Sequence, residues 1–170
     1  FFTRFLGARY SKINFGFVGL FGLFFLILYS YISNLFLPHN YLHNSILLFI
    51  GICLFVYFFY KEFKKTNIKE IALITFILIL FFISILISKN HDDFPYYHFP
   101  YTYYLTQYNL NIGVGIFGHG FRTPSSIFYL NSLFYLPLVN YYSFNFGQVL
   151  ILIFSNFVLL ENIFNFKYSN

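Results

Sequence analysis

Charge is what this chain has least of. Only 9% of its 170 residues are charged, against 59% hydrophobic, and the mean hydropathy is +0.68. A soluble domain carries about 25% charged residues, so the shortfall excludes an ordinary water-soluble fold and points to a polytopic membrane protein. Cysteine is nearly absent: Cys53 stands alone inside an apolar run, which excludes a disulfide framework. Methionine and tryptophan are missing altogether, whereas Phe, Tyr, Ile, Asn and Lys abound. That bias fits an AT-rich coding genome and is no signal of fold. With no Met even at position 1, the chain reads as an internal fragment or a truncated gene product, and its start is no guide to targeting. The sequence holds no Gly-Lys-Ser/Thr phosphate loop, no Gly-x-Ser-x-Gly elbow and no Cys-x-x-Cys pair. The net charge of +5 calls for no nucleic acid, because basic residues of a membrane protein collect in its cytoplasmic flanks.

What is present is a series of apolar runs. Phe15 to Leu37 is uncharged for about the 20 residues that a helix needs to cross a bilayer core of roughly 30 Å. Gly16, Gly19 and Gly22 recur along it as a small-residue strip on which a neighbouring helix can pack closely. Further spans are expected at Ser45 to Tyr60, Ile71 to Ser88 and Phe146 to Phe164. Pro38 to Asn44 between the first two reads as a turn. His39 and His43 have the i, i+4 spacing that would suit a metal on a helix, but Pro38 and two asparagines argue against a helix there; interfacial polar residues are the plainer reading. Ser125 to Val139 is apolar but short and broken by Asn131, Ser132 and Pro137. It is expected as a helix lying at the outer interface, started by Thr123-Pro124-Ser125, with Tyr129, Tyr135, Tyr141 and Tyr142 at headgroup depth.

If the spans alternate, Arg4, Arg9, Lys12, Lys61, Lys64, Lys65, Lys69 and Lys167 share one side, and only Lys89 and Arg122 share the other. The positive-inside rule then puts the N-terminus in the cytoplasm and the Lys89–Pro137 loop outside. The fold class read from this is all-α: a polytopic transmembrane bundle of about four spanning helices, with an extracytoplasmic loop carrying interfacial juxtamembrane helices. It divides into residues 1–88 (three transmembrane helices with basic flanks), 89–145 (the acidic and aromatic loop) and 146–170 (a fourth transmembrane helix and its cytoplasmic end).

Chemistry has one place to sit. Asp92 and Asp93, the only aspartates, open the loop between His91 and Phe94-Pro95. Neighbours on a helix point about 100° apart, so the two would divide the work. One would cap the helix that Pro95 begins, and the other would act as general base or hold a divalent cation such as Mg or Mn. His91 and His98 flank the pair, with His98 brought near if Pro95 to Gln107 is helical. Arg122, the only arginine of the loop, suits a phosphate on a lipid carrier or an ordinary headgroup. Gly113-Val-Gly-Ile-Phe-Gly118 matches G-x-G-x-x-G but follows no strand and opens no βαβ unit, so it reads as a turn, not a dinucleotide site.

His91-Asp-Asp-Phe-Pro-Tyr-Tyr-His98, then Gly113, then Phe121-Arg-Thr-Pro-Ser-Ser-Ile-Phe-Tyr-Leu-Asn-Ser-Leu-Phe-Tyr135 resembles the first large extracytoplasmic loop of the GT-C-type integral membrane glycosyltransferases. The resemblance covers Lys89 to Phe164. It implies a bacterial inner-membrane enzyme that takes a sugar from a polyprenyl-phosphate donor, with membrane lipid and that lipid-linked donor as partners. Carried over, Asp92 or Asp93 is the catalytic carboxylate and, if a metal is used, its ligand; His98, Arg122 and His91 are candidates for the donor phosphate. This chain departs from that superfamily in two ways: the acidic loop usually follows the first span, whereas here it follows the third, and the superfamily has many more spans than this chain holds, so the fragment would not be active alone. The alternative from another class is a non-enzymatic polytopic protein, such as a transporter or flippase subunit or an assembly partner. A transporter should place ionisable residues inside its spans, and these runs hold almost none, Glu161 being terminal.

Overall fold

A computed structural model describes residues 15–62, 75–81, 83, 92–116, 118–122 and 124–168. The described residues are helical, with no strand among them; the nearest thing to one is an isolated bridge between Leu136 and Asn140. The elements are α1 (Phe15–Asn34), α2 (Tyr41–Glu62), α3 (Phe99–Gln107), α4 (Ser126–Ser132) and α5 (Phe146–Tyr168). A π-helical turn, Phe94–His98, runs directly into α3. The condition set for His98, that Pro95 to Gln107 be helical, is therefore met.

Two stretches are long and apolar enough to cross a membrane: Phe15–Asn34, which is α1, and Tyr141–Leu160, which takes in most of α5. At 1.5 Å per residue, twenty residues reach about 30 Å. The expected second span falls in α2, whose apolar part Tyr41–Tyr57 is shorter. The expected third is described only at 75–81 and 83, and the basic flank 1–14 and most of the charged 61–70 loop lie outside the described residues.

The surface of α1 is inside-out. Its buried positions are Gly16, Leu23, Ser30 and Asn34, while Phe15, Phe17, Phe21, Phe24 and Ile32 are exposed. A helix in water does the reverse, turning its apolar stripe inward and its polar face out. The Gly16 end of that seam faces α5, which runs antiparallel to α1. A Cβ on Gly16 would lie 2.5 Å from both Phe154 O and Val158 N, and one on Gly19 would strike the Phe154 ring. The Phe15 ring closes the same end against Phe154 and Phe157, with centroids 6.0 and 5.4 Å apart. Gly22 faces open space. The small-residue strip is thus used over Gly16 and Gly19 only.

At the other end of the α1–α5 pair sits a folded cap. Tyr101 and Leu105 of α3 and Phe128 and Tyr129 of α4 form its core. Tyr31 of α1 stacks on Tyr129 with centroids 4.1 Å apart, tying the cap to the long helices. Cap and α5 meet where Gly147 N donates to Asn131 Oδ1 at 2.9 Å; a Cβ on Gly147 would sit 2.5 Å from the same oxygen, so glycine permits the approach.

The expected interfacial helix over Ser125–Val139 is corrected here. Ser125 does start it, its hydroxyl accepting from Ile127 N at 3.4 Å, but the helix ends at Ser132. Its Phe128–Ser132 stretch is buried against α3, α1 and α5, so it is a piece of core. Tyr129 and Tyr135, expected at headgroup depth, are buried; only Tyr141 and Tyr142 are exposed. The reason is that five successive residues of α4, Phe128 to Ser132, are covered because α1, α3 and α5 flank it on several sides, a three-dimensional fact that a short apolar run does not announce. Pro137 then forbids continuation, since the residue before a proline is steered away from helical geometry.

Candidate functional site

The acidic turn stands at the start of the cap. Asp92 is exposed and Asp93 half-buried. Asp93 occupies the N-cap position before Phe94–His98, but its side chain makes no capping hydrogen bond. Its own backbone carbonyl instead accepts from Tyr96 N and Tyr97 N, each at 3.2 Å. The expected side-chain cap is therefore not formed at Asp93. Pro95 supplies no N–H at the second helical position, and the next donor, Tyr96 N, is already taken.

His98 lies one turn on, its ring edge-on to Tyr97 (4.3 Å) and tilted against Phe128 (5.1 Å). Arg122 is exposed and its Nε donates to Gly115 O at 3.2 Å. It borders an open cleft of about 400 Å³ lined by Tyr101, Gly113, Ile116, Phe121 and Tyr129 among others. Gly113 turns the chain at the cleft edge with φ +91°, a conformation that side chains resist. Among the described residues, neither aspartate and no histidine lines this cleft. The turn at His119–Phe121 packs on the helical turn that follows the aspartates: a Cβ on Gly120 would strike Tyr97. Of the sequence-predicted residues that are described, Arg122 borders the cleft, whereas Asp92, Asp93 and His98 do not. His91 lies outside the described residues.

A buried polar cluster lies elsewhere. His39, fully buried in the turn between α1 and α2, has Nδ1 2.7 Å from Ser132 Oγ and Nε2 2.9 Å from Ser33 Oγ. Ser132 Oγ donates to Tyr129 O at 2.8 Å. Its hydroxyl therefore accepts from His39, which assigns the ring proton to Nδ1 and leaves Nε2 to accept from Ser33. Burial, aided by the neighbouring His43, lowers the His39 pKa to about 3, so the ring is neutral. Asn44, at the start of α2, directs Nδ2 at three carbonyls: His39 O (2.8 Å), Ser132 O (2.8 Å) and Tyr135 O (2.9 Å). Asn34 reaches from α1 to Leu105 O at 3.0 Å.

This knot corrects the reading of His39 and His43 as interfacial polar residues. The helix begins at Tyr41, so only His43 is on it; the rings stack with centroids 4.9 Å apart, and the nitrogens of His43 meet Tyr29 OH and Asn44 Oδ1 at 2.9 Å each. Four ring nitrogens with four side-chain partners leave no pair free for a metal. Among the described residues, no cluster of three or more His, Cys, Asp or Glu could hold one. Sequence reasoning passed over Ser30, Ser33, Asn34, Asn44, Asn131 and Ser132. The available signal was the i, i+3, i+4 spacing of Ser30, Ser33 and Asn34 at the end of an apolar run, which puts all three on one helix face.

No family model, no curated protein and no solved structure matches this chain. Its function has to be argued from the geometry above.

Proposed function

We propose that this chain is part of an integral membrane glycosyltransferase that moves a sugar from a lipid-linked donor at the capped end of the bundle. The observation that carries the reading is Arg122 on the rim of an open cleft of about 400 Å³ walled by aromatic and aliphatic side chains. One fixed cation beside apolar walls suits an amphiphile with an anionic head, and a guanidinium grips a phosphate through paired N–H donors. In this reading Arg122 holds the donor phosphate, with His98 and His91 as further donors to it. Asp92 or Asp93 takes the proton of the acceptor hydroxyl as that oxygen attacks the anomeric carbon and the sugar–phosphate bond breaks, the lipid phosphate leaving with the bond's electrons. A divalent cation held by the same carboxylate would assist that departure.

Support for a membrane setting comes from the inside-out surface of α1 and the length of α1 and Tyr141–Leu160. The distribution of Lys and Arg supports four alternating spans in a bacterial inner membrane, with residues 1–14 and Lys167 cytoplasmic and the cap outside. The second reading, a non-enzymatic polytopic protein, is favoured by one observation: the aspartates do not line the cleft that Arg122 borders.

The two are separated by expressing the full-length protein as Asp92→Asn, Asp93→Asn and Arg122→Ala and measuring the glycan product at matched protein levels. Loss of product of about a hundredfold or more in one aspartate variant, and a weakened response to donor in Arg122→Ala, is the expected result. Wild-type output from both aspartate variants removes the catalytic assignment.

A further inference from the structure

Between Tyr135 and Tyr141 the chain makes a small, stiff loop with an apolar point. Asn140 N donates to Leu136 O at 2.8 Å and the same two residues form the isolated bridge, so the loop is closed at its neck. The base is anchored on every side. Tyr135 is buried and stacks on Tyr41 with centroids 4.3 Å apart, and Tyr41 OH donates to Asn140 Oδ1. Ser143 Oγ bonds Phe134 O at 2.6 Å and also reaches Asn140 O at 3.0 Å.

The point is the opposite of its base. Pro137, Leu138 and Val139 are exposed, and Leu138 is 98% exposed. Leu138 also has φ +74°, in the left-handed region that L-residues other than Gly, Asn and Asp seldom occupy. A loop made for water would have glycine or asparagine here, which would relieve the backbone and remove an exposed aliphatic chain together. Asn140, at φ +52°, shows that usual choice two residues later. At position 138 the sequence accepts both a strained backbone and a fully displayed leucine.

The location says what the leucine meets. The apolar stretch Tyr141–Leu160 begins three residues later. Three residues of chain extend at most about 10 Å, so the loop stays at the level where that stretch leaves the hydrocarbon. Tyr141 and Tyr142, 44% and 72% exposed, stand beside it as the amphipathic rings that favour a membrane interface. We infer that Pro137-Leu138-Val139 is a rigid apolar wedge that inserts into the acyl–headgroup boundary of the bilayer at the capped end and fixes the depth and tilt of α5. Its ligand is the lipid surface itself, not a pocketed molecule. The inference rests on the reading that α5 crosses the membrane, and its test separates the two.

The full chain carrying Cys53→Ser is given a single cysteine at Leu138→Cys, at Val139→Cys as a second wedge position, at Leu152→Cys within α5, or at Asn109→Cys on the exposed cap. Each is labelled with an environment-sensitive fluorophore and reconstituted into phosphatidylcholine–phosphatidylglycerol vesicles. Aqueous iodide is compared with lipids bearing a nitroxide near the headgroup or near the chain end. The expected result is that labels at 138 and 139 are quenched several-fold more by the headgroup-level nitroxide than by iodide. The label at 152 should follow the deep nitroxide, and that at 109 should follow iodide. If 138 and 139 respond to iodide as 109 does while 152 stays deep, the wedge is wrong and the span stands. Shielding of 138 and 139 from both quenchers would mean that protein covers the loop, and would equally overturn the wedge. Iodide access at 152 would remove the span and the wedge with it.

Discussion

Nδ1 of His39 lies 2.7 Å from the hydroxyl of Ser132, across 93 residues of sequence. Both side chains are fully buried, in the turn joining the first two helices and at the end of α4 respectively. The contact therefore pins the cap to the turn at the end of α1, and Asn44 reinforces it by reaching the carbonyls of His39, Ser132 and Tyr135. Hydrogen bonds buried among apolar helices are costly to break, because the released groups find no water.

Lowering the pH should loosen this joint. Above the ordinary histidine value of 6.5 the ring is neutral whether folded or unfolded, and contributes no pH dependence. Below it the unfolded chain takes up a proton that the buried ring, with its pKa near 3, refuses. Stability is thus lost as pH falls from about 6.5 toward 3, with a slope of up to roughly 1.4 kcal/mol per pH unit from this residue. Thermal unfolding of purified protein at pH 7 and pH 4.5 measures it. His39→Gln should lower stability by about 1–3 kcal/mol at pH 7 and show a smaller loss on acidification than the parent. An identical loss in both would show that His39 is not the titrating group.

Asn44 gives a sharper comparison. Asn44→Ala strips the donors from three buried carbonyls and should cost about 2–4 kcal/mol. Asn44→Asp keeps the shape but points a carboxylate at the same oxygens, and should be the worse of the two. Chemical denaturation in mild detergent ranks them; equal stability of the two variants would contradict the donor geometry.

The glycine strip of α1 offers an internal control. Gly16→Ala forces a methyl to 2.5 Å from the α5 backbone at Phe154 and Val158 and should destabilise the pair by about 1–3 kcal/mol. Gly22→Ala meets nothing within 4 Å and should be neutral or stabilising by up to about 1 kcal/mol, from helix propensity alone. A reversal of that order in melting experiments would mean α1 and α5 cross elsewhere.

Tyr129 should matter for its ring and little for its hydroxyl. The ring stacks on Tyr31, whereas the hydroxyl meets Tyr101 OH at a long 3.4 Å. Tyr129→Phe is expected to cost under about 1 kcal/mol and Tyr129→Ala about 3–5 kcal/mol. Burial raises the pKa of both Tyr101 and Tyr129 above the usual 10. As pH rises past 10 the unfolded chain releases protons that the folded one holds, so stability falls there. An absorbance titration should show these two phenols ionising only with unfolding.

The sequence by itself determined the all-helical class and the position of α1 and α5, because apolar runs of about 20 residues with almost no charge have one economical form in a membrane. It also marked Ser125 as a helix start and Pro95 as a first-turn proline, both being local matters of capping and proline geometry. Only the tertiary structure decided the rest. That α4 is core and not surface depends on α1, α3 and α5 converging on it. That His39 is buried beside Ser132 depends on a contact 93 residues long, which no local pattern encodes. That two of three glycines are used depends on where one antiparallel helix lies on another. Local propensity and hydropathy act over a few residues and can be read in order along the chain. Burial and hydrogen-bond pairing are set by which distant elements meet, and in this protein they bury Asn34, His39, Asn44 and Ser132 while leaving Phe17, Phe21 and Phe24 of α1 exposed.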